Sequence, residues 1–243
     1  MSWGDLGDLA ITSETALVLD FDGTLADLAD DPDTVRLVPE TERALTRLTR
    51  RLDGAVAIVS GRDIADLARR TPKVLWRCGG HGSDIWPPGP APATRAAALP
   101  PDLLSALETL AADHAGVRLE PKAHGVAVHY RAAPEAGPAC WAAVERLGQA
   151  WGLRVQHGKA VVELVPRAAS KGRALDALMA QPAFTGRRPL CLGDDVTDED
   201  LFRAAREYDG IAVKVGPGET GAGRRAPDPS AVRQWLGREA ASR

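Results

Sequence analysis

The feature of the sequence that most constrains the fold is an apolar run that ends in two carboxylates. Residues 17–19 are Leu-Val-Leu, and Asp20, Asp22 and Gly23 follow within four positions. Such a short continuous run is typical of a strand buried on both faces of a parallel sheet. Side chains two residues apart in a strand point the same way, so Asp20 and Asp22 are expected side by side at the strand end. Gly23 permits a sharp turn there.

The paired acids predict either a ligand site or a plain turn. Ligands of open α/β sheets bind at the carboxyl ends of the strands, and adjacent carboxylates repel each other without a cation between them. Oxygen-only ligands favour Mg²⁺, which commonly shares a phosphate with one or two carboxylates. The alternative is a polar turn in which Asp20 and Asp22 are simply solvated.

The composition is that of a globular protein with a small partner. Of the 243 residues, 44% are hydrophobic and 26% charged, and the net charge of -3 gives no basic footprint for nucleic acid. Cys78, Cys140 and Cys191 are odd in number and widely spaced, which favours reduced thiols and a cytoplasmic setting. We expect no secretory signal and no membrane partner, because neither pattern occurs in the sequence, and we take the chain as a monomer.

Strands and helices alternate in the first and last parts of the chain. This alternation predicts an α/β core with a doubly wound parallel sheet, whose strands are expected at residues 17–19, 55–59, 74–78, 189–192 and 211–215. A Pro- and Ala-rich stretch then leads into a helix, hairpin, helix, hairpin order, which is typical of a small antiparallel α+β insert. We therefore predict a catalytic core of residues 1–85 and 166–243, a cap domain of residues 86–165, and an active site in the cleft between them.

Polar side chains also close other strands of the predicted core. Ser60 follows the second strand, Asp194 and Asp195 follow the fourth, and Lys171 opens a helix. Phosphoryl transfer needs a nucleophile, a proton for the leaving group and cations at the phosphoryl oxygens. Two acid pairs, a hydroxyl and an amine in this order indicate that chemistry.

The resulting hypothesis gives each acid a role. Asp20 attacks phosphorus and forms an aspartyl-phosphate. Asp22 protonates the departing sugar oxygen and later deprotonates the attacking water. Asp20 and Asp194, supported by Asp195, hold Mg²⁺ and so reduce repulsion between the nucleophile and the phosphate.

The phosphate itself is expected to be held by donors from two other segments. The Ser60 hydroxyl and the nearby backbone amides, including that of Gly61, donate hydrogen bonds to the phosphate oxygens. Lys171 adds a second positive charge.

These segments resemble the four motifs of the haloacid dehalogenase superfamily, and the insert is similar to its C2-type cap. The segments are Asp20–Leu25, Ser60–Arg62, Lys171 and Gly193–Asp200. More narrowly, the chain resembles the trehalose-6-phosphate phosphatase family, through residues 80–82, 120–122, 129–131 and 158–164.

The resemblance implies a ligand set and a sugar site. Mg²⁺ would be held by Asp20, the backbone carbonyl of Asp22 and Asp194, with Asp195 in support. The side chains that would face trehalose are Glu120, Lys122, Arg131, Lys159 and Glu163. The family often has an acidic residue where this chain has Pro121.

Other interpretations stay open at this point. Glu163 is equally expected as a plain solvent-facing acid and Lys159 as a solvated turn tip. Lys122 and Arg131 are equally expected as ordinary charges on the face of a hairpin. The rival functions are a phosphatase for sucrose phosphate or a glycosyl-phosphoglycerate, a phosphomutase, and a non-catalytic sugar-phosphate sensor.

Overall fold

The computed structural model describes residues 4–29, 31–93, 99–158 and 160–242. The chain forms two compact units. The larger unit comprises Met1–Pro92 and Ser170–Arg243, and the smaller unit comprises Ala93–Ala169. The sequence prediction placed the two boundaries at residues 85/86 and 165/166.

The strands of the described residues form two separate sheets. In chain order they are β1 (Gly4–Asp5), β2 (Thr15–Asp20), β3 (Val56–Val59), β4 (Trp76–Gly79), β5 (Asp84–Trp86), β6 (Arg118–Lys122), β7 (Gly125–His129), β8 (Leu153–Gly158), β9 (Val161–Pro166), β10 (Arg188–Gly193), β11 (Ile211–Val215) and β12 (Arg224–Ala226).

Seven α-helices of the described residues are interspersed with these strands along the chain. They are α1 (Pro39–Arg51), α2 (Ile64–Arg70), α3 (Pro101–Asp113), α4 (Gly137–Trp151), α5 (Lys171–Met179), α6 (Asp198–Glu207) and α7 (Pro229–Ala241). Within the described residues, no helix is both long enough and apolar enough to cross a lipid bilayer.

The sheet of the larger unit has the order β1-β12-β11-β10-β2-β3-β4-β5 among the described residues. All neighbouring strands run parallel except β5, which pairs antiparallel with β4 at one edge. Every residue of β2 and β3 is buried, because both faces of a central parallel strand are covered. This sheet confirms the predicted α/β fold class.

The strand register places the predicted polar residues at one edge of this sheet. Leu19 of β2 pairs with Leu192 of β10, and Asp20 pairs with Val59 of β3. The carboxyl ends of these three neighbouring strands therefore meet, and Asp20, Ser60 and Asp194 stand at or just after them.

The smaller unit has its own sheet and its own hydrophobic core. The sheet order is β6-β7-β9-β8, with all neighbours antiparallel. Its core is formed by residues of α3, α4 and the two central strands, including Leu107, Val128, Val144 and Leu164, all fully buried. The predicted order of helix, hairpin, helix and hairpin in an antiparallel α+β insert is confirmed.

The sequence analysis did not predict three short strands. They are β1, β5 and β12, each of two or three residues. A period-two pattern needs about four residues to become visible, so strands of this length carry no readable signal. The third predicted strand, at residues 74–78, begins two residues later in the structure, at Trp76.

Candidate active site

Asp20 lies at the end of β2, is almost fully buried, and is held by one lysine. The Nζ atom of Lys171 donates to Asp20 Oδ1 at 2.7 Å and to Asp198 Oδ1 at 2.7 Å. The Lys171 side chain is 4% exposed, and those of Asp20 and Asp198 are 5% and 0% exposed. Burial of the lysine and of the two carboxylates costs desolvation free energy, and the attraction between their opposite charges offsets this cost.

Local capping sets the position of Lys171. It is the first residue of α5, and Ser170 caps the helix by accepting a hydrogen bond from the Gly172 amide at 3.2 Å. Burial lowers the pKa of Lys171, but the charges of Asp198 and Asp20 and the hydrogen bonds to them outweigh burial and raise it. The lysine is therefore a fixed cation at the end of β2.

Asp198 organises the turn that follows β10, a role that sequence reasoning did not assign. Its Oδ2 atom accepts the amides of Asp194 and Asp195, each at 3.0 Å, while Oδ1 binds Lys171. The sequence signal for this residue is its place at the start of α6, three residues after Asp195 and inside the segment Gly193–Asp200, which resembles a superfamily motif. An acid at that spacing can bond amides of the preceding turn.

Three carboxylates gather at this point. Among the described residues, ligand atoms of Asp20, Asp194 and Asp198 all lie within 4.8 Å of one another. Asp20 Oδ2 is buried and has no hydrogen-bond partner among the described residues. Three acids with one lysine leave a local excess of negative charge, and an unsatisfied buried carboxylate oxygen is the atom that a hard divalent cation would use. The donor set therefore fits such a cation.

The pKa values of Asp20 and Asp194 reflect the same excess of negative charge. Burial raises the pKa of Asp20 well above its usual range, and the neighbouring charges of Asp198 and Asp194 add to this while Lys171 opposes it. Burial and the charge of Asp198 raise the pKa of Asp194 to about 6. A cation in this group would therefore displace protons.

Asp195 stands apart from the three gathered acids. Its side chain is exposed, whereas its backbone amide donates to Asp198. Asp194 is further held by the Thr24 hydroxyl, which donates to its Oδ1 at 3.5 Å, and by Lys214, which donates to its backbone carbonyl. Of the acid pair after β10, the structure brings only Asp194 to Asp20.

Gly23 leaves room for Asp194. Its φ is +79°, and a Cβ atom at this position would lie 2.2 Å from Asp194 Oδ2. A side chain is therefore excluded both by the backbone conformation and by the close approach of the carboxylate.

Asp22 is engaged by an arginine that sequence reasoning left without a role. Arg62 Nε donates to Asp22 Oδ2 at 2.7 Å and Arg62 Nη2 donates to Asp22 Oδ1 at 2.7 Å. Arg62 also donates to Asp66 Oδ2 at 3.0 Å, and its guanidinium lies 5.4 Å from the ring centroid of Phe21. Two parallel bonds between a guanidinium and a carboxylate fix both groups, so Asp22 is oriented by Arg62.

Ser60 and Gly61 form a tight turn after β3. The Ser60 hydroxyl oxygen accepts the Arg62 amide at 3.1 Å, and its carbonyl accepts the His81 amide at 3.0 Å. His81 adopts φ +54°, and a Cβ atom on Gly61 would lie 2.5 Å from its ring. Ser60 is buried, and its own hydroxyl proton is free to be donated elsewhere.

Three of the predicted sugar-facing residues form side-chain contacts on the sheet of the smaller unit. Lys122 Nζ donates to Glu163 Oε1 at 2.8 Å, and Glu120 Oε2 lies 2.7 Å from His129 Nε2. The register aligns Glu120 with Ala127 of β7, and Ala127 with Glu163 of β9. The hydrogen bond to His129 lowers the pKa of Glu120 although burial opposes it, and nearby Lys122 also lowers it.

The other two predicted sugar-facing residues are Arg131 and Lys159. Arg131 follows β7 and is exposed. Lys159 lies outside the described residues. His129 was not among the predicted sugar-facing residues, but it contacts one of them, Glu120, directly.

Comparison with known proteins identifies related sequences. The trehalose-phosphatase family model matches residues 18–229. A probable trehalose-phosphate phosphatase of Sinorhizobium fredii is 40% identical over 210 residues, covering 83% of this chain and 78% of that protein. A trehalose-6-phosphate phosphatase of Escherichia coli is 36% identical over 235 residues, covering 93% of this chain and 86% of that protein.

A solved structure shares the fold. The C-terminal domain of trehalose-6-phosphate phosphatase from C. albicans superposes with a TM-score of 0.78 at 24% identity. The likeness covers 94% of this chain and 92% of that one. It extends through both units of the chain.

Proposed function

Because the chain belongs to the trehalose-phosphatase family, we propose that it hydrolyses trehalose 6-phosphate to trehalose and inorganic phosphate. The reaction class is phosphoric monoester hydrolysis. The observation that carries this proposal is the buried Asp20, held by Lys171 in a group of three carboxylates.

Asp20 is proposed as the nucleophile. Its carboxylate attacks phosphorus, a bond forms between a carboxylate oxygen and phosphorus, and the bond from phosphorus to the sugar oxygen breaks. Lys171 fixes the carboxylate and contributes positive charge beside the transferring phosphoryl group. Water then attacks the aspartyl-phosphate, which releases inorganic phosphate and restores Asp20.

Asp20, Asp194 and Asp198 are the carboxylates proposed to hold Mg²⁺, with Asp195 and the Asp22 carbonyl as the further ligands that the family resemblance implies. When bound, the ion supplies positive charge that offsets repulsion between carboxylate and phosphate. Ser60 and the amide of Gly61 are proposed as the phosphate donors, because both stand at the carboxyl end of β3, next to Asp20.

Asp22 is proposed as the general acid and base. Arg62 donates to both carboxyl oxygens of Asp22 at 2.7 Å and so fixes the group that is proposed to deprotonate water. Protonation of the leaving sugar oxygen needs a protonated Asp22, so the contact with Arg62 has to loosen before that step. This gives Arg62 the role of a positioning residue.

The sugar is proposed to be recognised by the smaller unit, through Glu120, Lys122, Arg131, Lys159 and Glu163. Sugar hydroxyls both donate and accept, and the Lys122–Glu163 pair presents a charged donor beside a charged acceptor. Pro121 stands between Glu120 and Lys122 in β6. Because side chains two residues apart in a strand point to the same face, Glu120 and Lys122 share one face of the sheet.

We also propose that the protein acts as a monomer in the cytoplasm. Its three cysteines, Cys78, Cys140 and Cys191, are buried and unpaired, as expected where thiols stay reduced. Mass measurement of the purified protein in solution tests the oligomeric state, and a dimer would contradict it.

A panel of phosphosugars tests the substrate. We expect release of inorganic phosphate in the presence of Mg²⁺ with the highest kcat/KM for trehalose 6-phosphate, and none from the Asp20→Asn variant. Equal or higher kcat/KM with sucrose 6-phosphate would contradict the proposed substrate. Tight binding without turnover of any member would favour a sensor, and transfer to another sugar hydroxyl would favour a mutase.

A further inference from the structure

A surface cavity of the larger unit has an unusual concentration of arginine. The cavity has a volume of about 420 Å³ and is lined by residues of α1 and of the end of α2 with the turn after it. The lining is Glu42, Arg43, Thr46, Arg47, Arg50, Arg69, Arg70, Thr71 and Pro72. None of these residues belongs to the candidate active site.

The charge of this lining opposes that of the whole chain. Five arginines stand against one glutamate, whereas the chain as a whole carries a net charge of -3. Arg43, Arg47 and Arg50 follow one another at helical spacing on α1, which places like charges on one face. Such an arrangement is self-repulsive unless an anion lies among the guanidinium groups.

The arginines differ in how they are paired. Arg70 is buried and fixed by Asp66 at 2.8 Å and by Asp33 at 3.2 Å. Arg43 pairs with Glu40 on its own helix. Arg47 and Arg50 are exposed, and neither guanidinium has a hydrogen bond or an ion pair within the described part of the chain. Two free guanidinium groups therefore face the cavity beside paired ones.

Helix-end electrostatics accounts for only part of this set. Cations are favourable in the last turn of a helix, which explains Arg50 on α1 and Arg69 on α2. Arg43 and Arg47 stand in the second and third turns of α1, where the helix dipole gives no such benefit. Arg43 has Glu40 as a partner, whereas the charge of Arg47 has no partner within the described part of the chain.

We propose that this cavity binds a small anion that carries two or three linked phosphate groups. Guanidinium groups bind phosphate oxygens through paired hydrogen bonds, and several of them in one cavity match a ligand with several phosphates. The volume lies in the range of small-ligand pockets, which favours a soluble polyphosphate compound over a macromolecule.

Calorimetric titration of the full-length protein, saturated with MgCl₂, tests this site. The probes are inorganic tripolyphosphate and ATP. The test variant is the double substitution Arg47→Gln and Arg50→Gln, and the matched control is Arg146→Gln with Arg173→Gln, which removes two exposed arginines outside the cavity. Binding is measured directly, so the result does not depend on the proposed phosphatase activity.

We expect tripolyphosphate to bind the wild-type protein and the control alike, and to bind the test variant at least about tenfold more weakly. Tighter binding of ATP than of tripolyphosphate would identify a nucleotide ligand, and equal binding would identify the phosphate chain as the recognised group. Equal affinity of wild type and test variant, or no binding to either, would overturn the proposal.

Discussion

At the scale of single residues, the candidate site depends on one lysine that serves two acids. Lys171 binds Asp20 and Asp198 at the same distance of 2.7 Å. The Asp198 contact ties the lysine to the turn after β10, and the Asp20 contact ties it to β2. Removal of either acid would leave a buried charge with one partner fewer, which is costly in the interior of a protein.

The role of Asp20 can be separated from that of an acid outside the site by a pair of substitutions. We expect Asp20→Asn to lower kcat about a thousandfold or more, because an amide cannot act as the nucleophile. The matched control is Glu207→Gln, an exposed acid at the end of α6 that is not among the three gathered acids and has no proposed role in the site. Phosphate release is the measurement, and circular dichroism checks that both variants are folded. A similar loss in both variants would contradict the distinction.

The pair of Asp22 and Arg62 gives a second prediction. Arg62→Gln removes both bonds that orient Asp22, and we expect kcat to fall about tenfold to a hundredfold with a smaller change in KM. The loss should be larger for sugar phosphates than for p-nitrophenyl phosphate, whose leaving group needs no proton. Arg173→Gln, at an exposed arginine of α5, is the control. Equal losses with both substrates would assign Arg62 a purely structural role.

The raised pKa of Asp194 predicts how metal binding depends on pH. With its pKa at about 6 in the folded protein, Asp194 binds a proton below that pH that a cation has to displace. In the metal-free protein the raised pKa favours the folded state at low pH, and this contribution is lost as pH rises from about 4 to about 6. The gain in Tm from Mg²⁺ should therefore be larger at about pH 7 than at about pH 5.

Thermal unfolding with and without MgCl₂ at each pH measures this effect. Glu207→Gln should show the same pH dependence as the wild-type protein, because its side chain lies outside the acid group. A gain in Tm that does not vary with pH would contradict the proposed displacement of a proton.

At the scale of secondary-structure elements, the turn after β2 limits where Asp194 can lie. Gly23 has φ +79°, and Gly54, at the end of α1, has φ +90°. Both glycines adopt the left-handed conformation, but only Gly23 is closely approached by a functional side chain. At Gly54 the nearest atom to an added Cβ is that of Ala183, at 3.8 Å.

This difference allows a controlled experiment. Gly54→Ala should lower the free energy of unfolding by about 1–2 kcal/mol through backbone strain and leave kcat unchanged. Gly23→Ala should show a similar strain and, in addition, lose activity, because the new methyl group displaces Asp194. Urea denaturation and phosphate release measure the two effects. Normal activity in a folded Gly23→Ala variant would show that Asp194 tolerates displacement.

At the scale of the whole molecule, the described residues form two hydrophobic cores that share no residue. One includes Leu48 and belongs to the larger unit, and the other includes Leu107 and belongs to the smaller unit. The larger unit is built from two segments of the chain, since β2 from the first segment pairs with β10 from the second. Its sheet therefore needs both segments.

Separate cores predict separate effects on unfolding. Leu48→Ala and Leu107→Ala each create a cavity at a fully buried position, with an expected loss of about 2–5 kcal/mol. We expect each substitution to lower mainly the transition of its own unit in calorimetry, so that the two variants show different two-step profiles. A single transition that shifts equally in both variants would contradict this.

Much of this organisation could be predicted from the sequence, for identifiable reasons. The apolar runs of β2, β3 and β10 are long enough to indicate buried parallel strands, and the polar residues after them fall at the carboxyl ends by necessity. Asp20, Ser60 and Asp194 were expected together on that basis. The family resemblance contributed the sugar-facing residues and the expected substrate class.

The tertiary structure decided which side chains meet. Strand periodicity fixes the face on which a residue lies, but the turns after β2, β3 and β10 have no such period, and their backbone dihedral angles depend on long-range contacts. Only those contacts bring Asp198 to Lys171 and turn Asp195 outward, and only they pair Asp22 with Arg62, forty positions away in the sequence. The sequence by itself determined the sheet and its reactive edge, because local patterns suffice for strands, whereas the partners within the site depend on residues that are distant in the chain.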